Sequence, residues 1–181
     1  MRENKHMDFL FSEKLIKKRI VEVADQISSD YKDREVLIIG ILNGSFVFCA
    51  DMIRNLTNVK FKMDFISLNP YTDIGSDKKC DVLNLKEDVT GKDVLLFDDV
   101  IETGVTLDFA TKIIISKNPK SISTCVLIDK KHQSKSKKNV RVDYICLEMA
   151  ANMCNDFIVG YGSDYCGFFR GLPYICKLKE L

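Results

Sequence analysis

Three apolar runs dictate what this chain can fold into. VLIIGIL (Val36–Leu42), VLLF (Val94–Phe97) and STCVLI (Ser123–Ile128) are continuous rather than alternating. A strand covered on both faces takes apolar residues at successive positions, whereas a half-solvated strand alternates. Stretches of helical spacing lie around them. Ile16, Ile20, Val23, Ala24 and Ile27 share one face between Ser12 and Ser29, and Ser45–Leu56 resumes the same period. Leu107, Ala110, Ile113 and Ile114 mark a further helix, closed by Asn118-Pro119. Strand followed by helix followed by strand predicts an α/β fold with a mainly parallel twisted sheet flanked by helices. The chain has 181 residues, enough for one well-buried core, and it contains neither an internal repeat nor a linker, so it reads as a single domain over 1–181.

Shorter elements complete the pattern. Lys60–Leu68 alternates, with Phe61, Met63 and Phe65 on one side. Val82–Leu85, Tyr144–Leu147, Phe157–Val159 and Tyr174–Leu178 read as short strands, and Thr90-Gly91-Lys92 as a turn. Asn69–Lys79 is polar, contains Pro and Gly, and is long for a connection inside a compact domain; such loops are typically functional, and here a lid is expected. Lys130–Arg141 is a basic surface stretch.

Composition excludes several functions. Apolar residues make up 46% and charged residues 29%, an ordinary globular mixture, and the net charge of +1 gives no field for nucleic acid or a membrane surface. No segment has the length of a signal peptide or a membrane span. The seven cysteines are odd in number, lack CxxC spacing and sit partly in apolar runs, which reads as reduced thiols of a cytoplasmic protein. With only two histidines, a zinc site is not expected.

The chemistry concentrates in VLLFDDVIETGVTL (Val94–Leu107). A buried strand delivers Asp98 and Asp99 to its polar end, Glu102 follows three residues later, and Thr103-Gly104-Val105-Thr106 leads into a helix. Free N–H groups at a helix start, a glycine and two hydroxyls form a phosphate site. The adjacent carboxylates repel anions but accept hydrogen bonds from sugar hydroxyls. The segment therefore reads as a sugar-phosphate cradle; from chemistry alone, an acidic turn with a capping threonine remains the other reading.

This segment resembles the signature of type I phosphoribosyltransferases, in which two acids and a T-G-x-T loop bind phosphoribosyl pyrophosphate. A distant second stretch, DFIVGYGSDYCGFFRGLPYI (Asp156–Ile175), resembles the purine- and metal-binding segment of the hypoxanthine-guanine phosphoribosyltransferases. LNG (Leu42–Gly44), Tyr71 in the long loop and LIDK (Leu127–Lys130) match in the expected order, so the resemblance runs from about Leu37 to Leu178. It implies the type I phosphoribosyltransferase fold, with a small hood built from the N- and C-terminal parts. It implies a substrate pair, phosphoribosyl pyrophosphate and a 6-oxopurine base, a Mg²⁺ cofactor, and a homodimer or homotetramer.

Residue roles follow from the same resemblance. Asp98 and Asp99 would bind the ribose hydroxyls, and Thr103, Gly104, Val105 and Thr106 the 5-phosphate. Leu42, Asn43 and Gly44 would form the pyrophosphate loop, which in the family has a cis bond between its first two residues, and Arg170 would contact pyrophosphate. Lys130 would donate to the exocyclic oxygen on purine C6, Phe157 would stack on the base, and Ile158 would meet its edge through the backbone. Asp164 would bind Mg²⁺, and Tyr71 would be the tip of the lid.

The chain also departs from the family pattern. Glu102 stands where an aspartate usually accepts the N7 proton, which moves the acceptor by about one bond, and displacements of that order affect rate. The loop reads Asn69-Pro70-Tyr71 where Ser-Ser-Tyr or Ser-Tyr is more frequent. Ile145–Asn155 lacks an Ile-Pro pair and is a few residues longer, and Asn43 replaces a lysine found in some relatives. Two alternatives stay open: a xanthine-using purine phosphoribosyltransferase, and a regulator of this fold that senses phosphoribosyl pyrophosphate without catalysis.

Overall fold

The computed structural model describes residues 7–68, 82–83, 85–130, 140–150 and 156–178. Tyr71, the expected lid at 69–79 and most of the basic stretch after Lys130 lie outside the described residues.

Nine strands and three helices follow one another among the described residues as β1 (Met7–Phe11), α1 (Glu13–Asp30), β2 (Glu35–Leu42), α2 (Phe46–Asn55), β3 (Lys60–Leu68), β4 (Val82–Leu83), β5 (Asp93–Ile101), α3 (Val105–Ser116), β6 (Ser121–Asp129), β7 (Tyr144–Glu148), β8 (Ile158–Val159) and β9 (Ile175–Leu178). The main sheet has the order β4-β3-β2-β5-β6-β7; β3, β2, β5, β6 and β7 run parallel, and β4 is an antiparallel edge. The apolar runs predicted this arrangement, because β2, β5 and β6 are the strands with a parallel neighbour on each side.

Period-two alternation sorts their side chains onto two cores. Val36, Ile38, Leu95, Phe97, Cys125 and Leu127 face α1 and α2. Leu37, Ile39, Ile41, Val94, Leu96 and Val126 face α3 through Leu107, Ala110 and Ile114. Helix α1 buries the expected stripe of Ile16, Ile20, Val23, Ala24 and Ile27. Its start is fixed by Ser12, whose Oγ accepts from the Leu15 N–H at 3.1 Å, a cap worth about 1 kcal/mol.

Two elements differ from the sequence expectation. Strand β5 continues past the apolar run, because its parallel pairing with β6 extends through Val100↔Ile128 and Ile101↔Asp129. The two acids thus lie within the strand and short of its last residue, Ile101; backbone pairing is indifferent to side-chain polarity. Strand β1 was not anticipated. Its residues are only partly covered, so they carry no periodic signal, and its partner is 171 positions away: Met7 pairs with Leu178. With β8 and β9 it forms a separate antiparallel sheet, β1-β9-β8, the expected hood.

Candidate active site

In open parallel sheets, ligands bind beyond the C-terminal ends of the strands. Here β2 ends at Leu42, β5 carries Asp98 and Asp99 near its end, and β6 delivers Asp129-Lys130. Two contiguous depressions open at this edge. One, of about 230 Å³, is lined by Asp98, Val100, Ile101, Glu102, Thr103, Gly104, Thr106 and Leu107. The other, of about 320 Å³, is lined by Asn43, Gly44, Asp99, Val100, Glu102, Lys130, Phe157, Ile158, Ser163, Asp164 and Arg170. They share Val100 and Glu102, so Glu102 stands on the ridge between them.

The smaller depression lies at the start of α3. Gly104 adopts the left-handed conformation (φ 76°), which a side chain would oppose, and it turns the chain into the helix at the edge of the hollow that Thr103, Gly104 and Thr106 line. The Val105 N–H is bonded to Thr103 Oγ1 at 3.4 Å, and the Asp108 N–H to the Gly104 carbonyl. Leu42-Asn43-Gly44 leads similarly into α2, and its Leu42–Asn43 peptide is cis, as the resemblance implied. Two loops, each running into a helix N-terminus, give two places for anionic groups along one edge.

The paired acids are not equivalent. Asp98 is only 4% exposed, and burial, with the Asp99 carboxylate beside it, pushes its carboxyl well above the usual carboxylate range. Asp99 is half-buried and opens onto the larger pocket. It accepts a hydrogen bond from the Ser163 hydroxyl at 2.7 Å. Packing here is tight: a Cβ at Gly44 would fall 2.0 Å from Asp99 Oδ2, and one at Gly162 would fall 2.0 Å from the Gly44 carbonyl oxygen. The pyrophosphate-type loop, the strand acid and the 160–163 turn therefore interlock.

Parallel register explains the charged pair at the centre. Ile101 pairs with Asp129, and the Lys130 N–H donates to the Ile101 carbonyl at 2.8 Å, which sets Lys130 beside Glu102. Lys130 is 4% exposed, unlike a solvated lysine. Its ammonium donates to the Asp156 carbonyl at 2.9 Å and lies 3.6 Å from Glu102 Oε1. Phe157 is 53% exposed, so it is not a core residue; its ring meets Tyr165 edge-on at 5.5 Å. Ile158 is buried in β8. Arg170 binds its own turn, donating to the Gly162 carbonyl at 2.7 Å and pairing with Asp164 at 2.6 Å. The other Asp164 oxygen accepts from the Gly167 N–H at 2.6 Å.

The structure thus brings all the sequence-expected residues within the described part to this edge, apart from Leu42 and Val105 as lining groups; those two flank it through the loop and the helix start. Sequence reasoning missed Ser163 and Tyr165. Both lie inside the second matched stretch, but their contacts depend on two turns, closed by reciprocal Gly160–Ser163 and Tyr165–Phe168 bonds, which no periodicity reveals.

A phosphoribosyl transferase domain model matches residues 6–165. The chain belongs to the phosphoribosyltransferase family. It is 35% identical to the hypoxanthine-guanine phosphoribosyltransferase of Dictyostelium discoideum, over 96% of both chains. It is 37% identical to the hypoxanthine phosphoribosyltransferase of Escherichia coli, over 95% of both. Among solved structures, a Bacillus anthracis hypoxanthine-guanine phosphoribosyltransferase superposes with a TM-score of 0.84 at 33% identity, covering 96% of this chain and 99% of that one. A hypoxanthine phosphoribosyltransferase of Staphylococcus aureus does so with a TM-score of 0.86 at 30% identity, covering 97% and 93%. The phosphoribosyltransferase fold expected from the motifs is therefore the fold of this chain. No helix among the described residues is long and apolar enough to cross a membrane.

Proposed function

We propose that the protein transfers the 5-phosphoribosyl group of phosphoribosyl pyrophosphate to hypoxanthine or guanine in purine salvage. The observation that carries this reading is the Lys130–Glu102 pair, 3.6 Å apart beside the exposed face of Phe157. A 6-oxopurine presents an acceptor oxygen on C6 and, in its N7–H form, a donor on the same edge. A buried ammonium next to a carboxylate complements that edge, with donor facing acceptor and acceptor facing donor. Adenine presents an amino donor to Lys130 instead, and sites built on such a bond reject the mismatched analogue by about 10⁴.

The remaining roles fit the two depressions. Thr103, Gly104, Val105 and Thr106 hold the 5-phosphate at the α3 start, Asp98 and Asp99 the ribose hydroxyls, and Asn43 and Gly44 the pyrophosphate. Purine N9 attacks ribose C1 as the bond from C1 to the pyrophosphate oxygen breaks, and the proton on N7 passes to Glu102. Positive charge develops on C1 and the ring oxygen, as in other glycosyl transfers. Phe157 stacks on the base, and the Ile158 backbone borders its edge.

Three carboxylates and two cationic side chains line the larger depression, so the protein alone does not neutralise a pyrophosphate. Among the described residues, no group of three or more His, Cys, Asp or Glu side chains could hold a metal ion unaided. Mg²⁺ commonly takes one or two carboxylates and completes its shell with substrate phosphates and water, a donor set that Asp164 fits. When bound, Mg²⁺ supplies charge stabilisation to the departing pyrophosphate. Asp164 and Arg170 would then exchange their mutual pairing for the ion and the phosphate. The test is a spectrophotometric panel of hypoxanthine, guanine, xanthine and adenine with phosphoribosyl pyrophosphate and Mg²⁺. Turnover with hypoxanthine and guanine and none with adenine is expected; adenine as best substrate would overturn the reading.

A further inference from the structure

Asp99 is held from two sides. Gly44 passes beneath it so closely that any side chain there would collide with the carboxylate, and Ser163 Oγ–H donates to Oδ2 at 2.7 Å. Ser163 is itself fixed. Its N–H donates to the Gly160 carbonyl at 3.1 Å, and its carbonyl accepts from the Gly160 N–H at 3.0 Å. The turn is anchored outward by Tyr161 N–H to the Leu172 carbonyl at 2.8 Å, Gly162 N–H to the Arg170 carbonyl at 3.0 Å, and the Tyr161 hydroxyl to Asp51 on α2. A rigid turn therefore presents one hydroxyl to one carboxylate at the mouth of the larger depression.

A carboxylate has about four acceptor positions and rotates freely about χ2 when unrestrained. Ser163 uses one position and fixes the plane, and the others stay available to hydroxyl donors. We propose that Ser163 is a positioning residue: it orients the Asp99 carboxylate to accept the ribose hydroxyls of phosphoribosyl pyrophosphate. The proposal rests on the phosphoribosyl reading above and adds a residue to which no role was given.

Calorimetric titration of phosphoribosyl pyrophosphate with Mg²⁺ into the full chain is the experiment. Ser163→Ala should weaken binding by about tenfold, the scale of one hydrogen bond to a charged group. Ser163→Thr, which keeps the hydroxyl, should stay within about threefold of wild type on the same scale. The KM for the base should not move, because Ser163 addresses the sugar acid. In an Asp99→Asn background, Ser163→Ala should add little. Unchanged affinity in Ser163→Ala, or losses that simply add in the double variant, would overturn the proposal. A wild type that binds no phosphoribosyl pyrophosphate would sink the underlying reading, and the role of Ser163 with it.

Discussion

Strand β5 buries one aspartate at its start, Asp93, and another towards its end, Asp98, and the two are treated in opposite ways. At the N-terminal end, Asp93 is 5% exposed, yet Arg34 and Lys120 reach it at 2.7 and 3.1 Å and Ser121 donates to it at 2.5 Å. Burial works to raise its pKa, but these partners outweigh that and hold it at about 2. Five residues on, Asp98 is equally buried, has another carboxylate as its neighbour, and is pushed upward. One strand thus has an acid paired with cations at its structural end and an acid set beside another carboxylate at its ligand end. Acids with perturbed pKa values gather at functional sites, and Asp98 lies at the end of the strand where the ligand groups converge.

This contrast predicts that substitutions at the ligand end change activity, and those at the other end change stability. The largest effect is expected for Glu102→Gln, which should lower kcat by roughly 10²–10⁴, the usual worth of a positioned acid or base. The melting temperature should hardly move, since Glu102 is exposed; wild-type turnover in the Gln variant would remove its proton-accepting role. Glu102→Asp should retain activity. Next, Lys130→Met should cut guanine and hypoxanthine use by about 10–100-fold, on the scale of a charged hydrogen bond. It should not create adenine activity, because no acceptor is introduced; a base panel decides this.

Asp93→Asn should leave kcat and KM unchanged but destabilise the fold by about 2 kcal/mol, since it removes a carboxylate serving several donors. The sign of its pH dependence follows from the lowered pKa. The native state holds this acid ionised, so its contribution is present above the unfolded value near 4 and is lost as pH falls towards about 2. The acid limb of the stability curve should flatten over that window in the Asn variant, as read by urea melts. The smallest effect is expected for Asp98→Asn, with the opposite sign. Its raised native pKa means that stability falls as pH rises through and above the ordinary carboxylate range. The Asn variant should be at least as stable as the wild type at neutral pH, while losing affinity for the sugar phosphate. Equal destabilisation by both Asn variants would erase the contrast.

The legible parts of the molecule were those governed by local pattern. Continuous apolar runs marked β2, β5 and β6 because both faces of these strands are covered, and the α1 stripe matched its buried face residue for residue. The acids, the Thr-Gly-Val-Thr turn and the purine stretch were legible as motifs. What sequence could not supply was register and closeness. That Lys130 sits beside Glu102 follows from the Ile101↔Asp129 pairing across two strands. That Asp98 and Asp99 differ in environment follows from which of them the packing closes over. Strand β1 escaped notice because a half-covered edge strand has neither a helical nor a strict two-residue period.

The hood has a consequence for the order in which the molecule acquires its parts. Every described strand of the main sheet lies before residue 149, so a growing chain of that length already contains the 5-phosphate loop and both strand acids. The wall that carries Phe157 depends on β8 pairing with β9, and β9 pairing with β1 some 170 positions earlier. Contacts of such separation bear the greatest loop-closure entropy and form late. A chain still emerging from the ribosome would hold the groups that recognise a sugar phosphate, while the wall against which a base stacks waits for the two ends to meet.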